Sequence, residues 1–269
     1  MDCQFKEIVV TSLPEYTTEV LKIRDAWSKE WKEEEVYIDP WYRGEPESNT
    51  SLIPGLFRNV TQREISERLK TEWELRDEFE LRARNFLDGV TLSQNDEQNW
   101  DLYFLMQHYG VPTRILDWTE SPLLSLYFAL RGSIEKKEEV WVWALHPWLL
   151  NKSVMKKPEI LPSYDKKYLR YLPGIGKDYK LPEYPAAFNV PYITPRIIAQ
   201  KSCFTIHGRN LKGLLTISDC GKFIKKIRII KKDSLIYLRN DLRSLGISEI
   251  SVFPDLDGLG RDLRSRWLF

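Results

Sequence analysis

Hydrophobic residues recur at helical spacing in three stretches of the N-terminal part of the chain. They predict helices from Leu13 to Trp31, over roughly residues 62–87, and from Asn95 to Tyr109. Between the first two helices, the aromatic run Trp41–Gly44 is typical of a short strand that enters the core.

Residues 105–131 combine a helix end, a short strand and a second helix. Gly110 ends the first helix, because glycine readily adopts the left-handed conformation at that position. The apolar run Thr113–Leu116 predicts a strand, and Ser121 is a good N-cap for the next helix. The polar run Asp117–Thr119 therefore lies at a strand end next to a helix N-terminus, a position that favours anionic ligands.

The second half of the chain alternates predicted strands with two predicted helices. The strands are expected at residues 140–145, 196–200, 203–207, 223–230 and 247–253, and the helices at 235–245 and 256–267. Residues 147–195 hold eight of the fifteen prolines and show no period. We expect an irregular insertion there, dispensable for folding but needed for activity.

The order of these elements predicts the fold class. Helices with one early strand come first, and strands with two helices follow, which indicates an α+β fold rather than regular βαβ winding. We expect residues 1–269 to form a single domain that contains the insertion at about 147–195.

Composition narrows the possible functions. The net charge is +1, so no bulk charge attracts the chain to nucleic acid or to membranes. There is no basic and apolar leader, and no apolar run reaches the length of a membrane span, so we expect a cytoplasmic protein without a membrane partner. The three histidines are scattered, and we predict no metal site. Serine-hydrolase and phosphate-loop motifs are absent from the sequence.

Arg43 and Gly44 form the first candidate site. An arginine at a strand end can bind a phosphate through two hydrogen bonds, and a glycine beside it allows close approach of a ligand. The alternative is that Arg43 makes a structural salt bridge with Asp117 or with a C-terminal carboxylate. The sequence leaves both open.

Several runs give the chain a resemblance to the FRG domain family, which is named for a Phe-Arg-Gly motif. The matching runs are Tyr42–Gly44, with tyrosine in place of phenylalanine, Leu56–Arg58, Met106–Arg114, Leu116–Thr119, Tyr127–Ala129 and Phe253–Gly258. The likeness extends from about residue 12 to residue 262.

The chain also resembles, more weakly, the ADP-ribosyltransferases. Arg43 resembles the arginine on their first strand. The run Asp117–Thr119, followed by Leu126–Ala129, resembles their second strand and the helix after it. Gln200 resembles the residue on their third strand. This resemblance implies a split sheet with an N-terminal helical portion, with NAD as the dinucleotide substrate. It implies catalytic roles for Arg43, Asp117, Thr119 and Gln200. It also implies cofactor-binding roles for Arg43, Gly44, Gln107, His108, Thr113, Arg114, Trp118 and Tyr127.

The implied reaction cleaves the nicotinamide–ribose bond and modifies an unknown macromolecular target, as a toxin or defence effector would. Gln200 is neutral where active transferases usually carry glutamate, so Asp117, Glu45 or Asp255 would have to supply the acid. Asp255 can instead be explained as a charge at a helix N-terminus.

The alternative is a non-catalytic module that binds a nucleotide, nucleic acid or protein. Lysines and tyrosines of residues 164–180, together with the pairs Lys225–Lys226 and Lys231–Lys232, could contact phosphates. Ordinary solvated lysines explain the same pattern, because acidic residues balance them overall.

Overall fold

A computed structural model describes the chain over residues 7–31, 39–46, 52–83, 86, 100–131, 138–160, 162–163, 165–174, 180–190, 194–211, 213–230 and 235–268. Seven strands in these ranges form one mixed sheet, with helices packed on it. They are β1 Ile8–Val10, β2 Trp41–Glu45, β3 Ile115–Thr119, β4 Glu139–Leu145, β5 Ala186–Phe188, β6 Ser202–Ile206 and β7 Ile224–Ile230. The α+β class predicted from the order of elements is confirmed.

The strand order across the sheet is β1-β7-β4-β2-β3-β6-β5. Only the edge pair β1–β7 is parallel among the described strands, and the other pairs are antiparallel. The joint between β2 and β3, meaning the stretch over which these two strands pair, is short: it consists of the single residue pair Tyr42 and Thr119. Beyond that pair the two strands separate and leave room between them.

Helices cover both faces of the sheet. They are α1 Leu13–Glu30, α2 Ile65–Ala83, α3 Trp100–His108, α4 Pro122–Ala129, α5 Pro147–Met155, α6 Lys166–Leu169, α7 Pro195–Ala199, α8 Leu235–Ser244, α9 Glu249–Val252 and α10 Leu256–Trp267. The Ser121 hydroxyl caps α4 by accepting a hydrogen bond from the amide of Leu124, as its sequence predicted. The predicted start of α3 near Asn95 lies outside the described residues.

Two predicted strands are helices instead. The predicted strand at 196–200 is largely the helix α7, Pro195–Ala199, because the Thr194 hydroxyl caps the helix and Pro195 fits its first turn. Residues 247–253 contain α9, which begins after Ser248 in a capping box. In both segments the start signal outweighs the strand preference of the β-branched residues that follow.

Residues 147–195 are more regular than their prolines suggested. They contain α5, α6, the edge strand β5 and the start of α7. Tyr168, Tyr171 and Phe188 are fully buried in one hydrophobic cluster, and the Asn151 side chain bonds the main chain of Ala187. Because the segment supplies both a strand and core side chains, it is not an irregular insertion, and this argues against its being dispensable for folding.

Gly44 lets α4 lie close against β2. A Cβ atom at this position would be 1.9 Å from the carbonyl oxygen of Ser125. Helix packing therefore requires the glycine, whether or not a ligand approaches it.

Candidate functional site

A cleft of about 320 Å³ opens where β2 and β3 separate. The ends of α3 and α4 and the short helix α7 complete its walls. Its lining residues are Tyr42, Arg43, Gly44, Phe104, Gln107, His108, Asp117, Trp118, Thr119, Phe128, Arg131, Arg196, Ile197, Gln200, Ser202 and Phe204.

Asp117 presents its carboxylate to this cleft. Gln107 Nε2 donates a hydrogen bond of 2.7 Å to Asp117 Oδ2, and the Thr113 hydroxyl donates to Gln107 Oε1. This chain of side chains fixes the orientation of the carboxylate. Asp117 is exposed to solvent, but the protein packed around it removes part of the hydration of its carboxylate and so raises its pKa, while the Arg43 charge and the Gln107 hydrogen bond partly oppose this.

Arg43 is tied to β2 and β3 while it lines the cleft. Its Nε lies 3.2 Å from Glu45 Oε1, and its Nη1 donates to the main-chain oxygen of Asp117 at 2.8 Å. Trp143 Nε1 donates to the other oxygen of Glu45 at 3.0 Å. The structural partner of Arg43 is therefore Glu45, not the side chain of Asp117 or a C-terminal carboxylate.

A second cavity, of about 350 Å³, adjoins the cleft. Arg43, Gln107 and Asp117 line both cavities, and Thr113 lines only the second one. Asp117 thus stands at the junction of two spaces, which can receive two halves of one extended ligand.

Thr119 and Gln200 line the cleft but also hold it together. The Thr119 hydroxyl donates to the main-chain oxygen of Gln200 at 2.7 Å, and Gln200 Nε2 donates to the oxygen of Val252 at 3.3 Å. Gln200 follows α7 rather than lying on a strand, which corrects its predicted location.

Three residues predicted to bind a cofactor have structural positions instead. Arg114 is wholly buried, and its guanidinium bonds both oxygens of Glu72. Trp118 lines the cleft, but it is only 3% exposed, packs in a core cluster and donates to the Thr205 hydroxyl, so little of its ring is available for stacking. Tyr127 is buried beside Glu249 and does not line the cleft.

Several lining residues were missed by the sequence reasoning. Phe104, Phe128 and Phe204 supply aromatic surface, and Arg131 and Arg196 supply positive charge. Phe204 could have been found, because antiparallel pairing places it opposite Asp117, on the same face of the sheet. The two arginines carry no local motif.

Both arginines contact Phe253, which follows α9. The guanidinium carbons of Arg131 and Arg196 lie 4.4 and 4.5 Å from the ring centroid, and that of Arg261 lies at 5.0 Å. The Asp255 side chain accepts from the amide of Gly258 and caps α10, which confirms its structural explanation.

His108 is half-buried at the cleft. Burial and the nearby Arg196 lower the pKa of its imidazole, so it is neutral at physiological pH. His146 and His207 are buried elsewhere. Within the described ranges, no group of three or more metal-binding side chains comes together.

The lysines considered for nucleic acid are largely engaged. Lys226 pairs with Glu7 at 3.4 Å, Lys225 donates to the oxygen of Gly221, and Lys167 pairs with Glu159 at 2.7 Å. Lys231–Lys232 lie outside the described residues. No helix in the described part of the chain is long and apolar enough to cross a membrane.

Residues 39–138 match the family model of the FRG domain. The match includes β2, α3, β3 and α4, which form most of the cleft, and ends before the Phe253–Gly258 run. No curated protein and no solved structure matches the chain.

Proposed function

We propose that the chain, whose residues 39–138 match the FRG domain, binds NAD in the cleft and cleaves the nicotinamide–ribose bond, as its weaker resemblance to the ADP-ribosyltransferases implies. The proposal includes the ADP-ribosyltransferase-like character implied by the resemblance. The short joint between β2 and β3 supports it, since it divides the sheet at the cleft. The product is transferred to a macromolecular target or to water.

The position of Asp117 is the observation that carries this proposal. Among the described residues that line the cleft, it is the one that bears a carboxylate, and it also borders the second cavity. Glu45 is buried against Arg43 and Trp143, and Asp255 caps a helix, so neither alternative acid is free for catalysis. Asp117 therefore takes the role that Gln200 cannot.

The chemistry needs a negative charge at this position. When the bond between ribose C1′ and the nicotinamide nitrogen breaks, its electron pair stays with nicotinamide and neutralises the pyridinium charge. Positive charge then develops on C1′ and the ring oxygen, as in glycoside cleavage, and the Asp117 carboxylate stabilises it. An incoming nucleophile, water or a target side chain, bonds to C1′ and releases a proton.

The rest of the cleft fits a dinucleotide. Phe128 lines the cleft and is only partly buried, so it offers apolar surface to the nicotinamide ring in place of the buried Trp118 and Tyr127. Gln107 holds Asp117 and does not need to contact the substrate. The Thr119 hydroxyl already donates to the main-chain oxygen of Gln200 and accepts from the amide of Ser121, so its remaining lone pair can only accept a hydrogen bond from a ribose hydroxyl.

A second candidate function is nucleotide binding without transfer. Gln200 favours it, because the position matched to the transferase acid is a neutral side chain bonded to Val252. In that case NAD binds and remains intact.

The test is release of nicotinamide from NAD, followed by chromatography. We expect the wild-type chain to release nicotinamide and Asp117→Asn to lose at least a hundredfold in rate, since removal of one stabilising charge costs about 2.7–4 kcal/mol in comparable sites. The rate should fall in acid as Asp117 is protonated. Because the pKa of Asp117 is raised, this loss should begin above the usual range of an aspartate.

Asp241→Asn is the matched control, because Asp241 is exposed on α8 away from the cleft. It should keep the wild-type rate. Intact NAD bound by the wild type would select the non-catalytic candidate, and failure to bind NAD at all would contradict both.

A further inference from the structure

Two arginines besides Arg43 line the cleft. Arg131 follows α4, and Arg196 lies in the first turn of α7. Their guanidinium carbons lie 4.4 and 4.5 Å from the same Phe253 centroid, so the sum, 8.9 Å, is their largest possible separation. Stacking on an aromatic ring limits the orientations of both guanidinium planes before any ligand arrives.

The positive charge of this pair is incompletely balanced. Glu249 pairs closely with Arg261, at 2.9 Å, and only loosely with Arg131, at 3.7 Å. Arg196 has no ion pair with any described residue. Burial and the like charge of Arg131 lower the pKa of Arg196, as expected where two cations share a partly enclosed space, while the carboxylates of Asp117 and Asp255 partly oppose this.

An anion between the two arginines would relieve this repulsion. Guanidinium groups bind phosphate oxygens in pairs of hydrogen bonds of about 2.7–2.9 Å, a geometry that lysine cannot reproduce. Arg43 is less suited to the role, because its Nε and Nη1 already bond Glu45 and the main chain of Asp117.

We infer that Arg131 and Arg196 form an anion-binding subsite that takes the phosphate groups of the cleft's ligand. The inference rests on the cleft being a ligand site, as proposed above, but not on the ligand being NAD. The diphosphate then lies against the wall of the cleft formed by the end of α4 and by α7. Phe253, which lies outside the matched FRG segment, holds the two arginines that bind it.

Isothermal titration with four probes separates the possible sources of phosphate. Inorganic pyrophosphate, ADP-ribose and NAD carry the diphosphate, and nicotinamide riboside does not. In Arg196→Met, which keeps much of the side-chain volume, we expect affinity for the first three to fall roughly ten- to a hundredfold. Affinity for nicotinamide riboside should stay within about twofold.

Arg261→Met is the matched control. Arg261 contacts the same ring at 5.0 Å but pairs with Glu249 and does not line the cleft, so this variant should bind all four probes as the wild type does. If Arg196→Met does not fold, Arg196→Lys and Arg131→Met serve instead. Both variants should weaken the binding of the phosphate-bearing probes, since each removes one guanidinium group that can bind phosphate through two hydrogen bonds.

The outcomes distinguish this inference from the proposed function. Binding of pyrophosphate that depends on Arg196, without binding of NAD, would support the subsite and contradict the NAD proposal. Binding of NAD that is unchanged in the Arg196 and Arg131 variants would overturn the subsite and leave the NAD proposal standing. Failure of the wild type to bind any phosphate-bearing probe would overturn the subsite.

Discussion

At the scale of single residues, two buried histidines make stability depend on pH. His146 and His207 are both fully buried, and burial lowers the pKa of His146 to about 4 and that of His207 to about 3. Both are therefore neutral in the folded chain. Below pH 6.5 the unfolded chain binds protons that the folded chain does not, so stability is lost as the pH falls from 6.5 toward these values.

At pH 5 we expect each buried histidine to lower the free energy of unfolding by about 2 kcal/mol relative to pH 8. Urea unfolding at the two pH values, in wild type and in His207→Asn, measures this difference. His108→Gln is the comparison, because the pKa of the half-buried His108 is also lowered but less of its surroundings is closed to water, so this variant should reduce the acid loss less than His207→Asn does. An acid loss equal in wild type and in His207→Asn would contradict the assignment to His207.

The sequence located many candidate residues but not the direction of their side chains. Arg43, Gly44, Gln107, His108, Asp117, Thr119 and Gln200 all line the cleft. Arg114 and Trp118 belong to the same runs, yet one is sealed in a buried ion pair and the other packs in the core. Side chains alternate along β3, so Trp118 and Asp117 point to opposite faces of the sheet. Helices cover both faces, and the sequence therefore did not show on which of them the cleft opens.

At the scale of elements, strand β2 is held to β4 by more than main-chain hydrogen bonds. Arg43 pairs opposite Trp143 across these strands, and Glu45 bonds both of their side chains. The Arg43 and Glu45 side chains are only 15% and 4% exposed, so removal of the arginine leaves a buried charge without its partner.

We therefore expect Arg43→Ala to destabilise the protein by roughly 3–5 kcal/mol. The double variant Arg43→Ala with Glu45→Gln should be less destabilised than Arg43→Ala alone, because no buried charge remains unpaired. Thermal and urea unfolding of the two variants and of Glu45→Gln measure this coupling. An Arg43→Ala variant as stable as the wild type would mean that the pair is not structural and that Arg43 is chiefly a ligand group.

Helix starts were the least readable elements. The segments of α7 and α9 carry β-branched residues that favour strands, and their short lengths give no helical period. Their helix starts depend on the caps at Thr194 and Ser248, which precede these β-branched residues. In residues 147–195 the many prolines suggested irregular structure, so α5 and β5 were not predicted. Burial in a shared core, and not local propensity, determines these two elements.

At the scale of the whole molecule, the order of elements predicted the fold class but not the sheet. Strand order depends on pairs far apart in the chain, such as β2 with β4 and β3 with β6. No local pattern encodes those pairs or the short β2–β3 joint from which the cleft opens. The cleft combines residues near 43, 107, 117, 131 and 196, and Arg131 and Arg196 lie in none of the family runs.

A crystal structure of the chain with an uncleavable carbocyclic analogue of NAD tests the central claim most directly. We predict that the ring carbon equivalent to C1′ lies beside the Asp117 carboxylate, where the two cavities meet, and that the diphosphate lies on Arg131 and Arg196. An analogue bound outside the cleft, or one whose nicotinamide end lies far from Asp117, would contradict the proposed reaction.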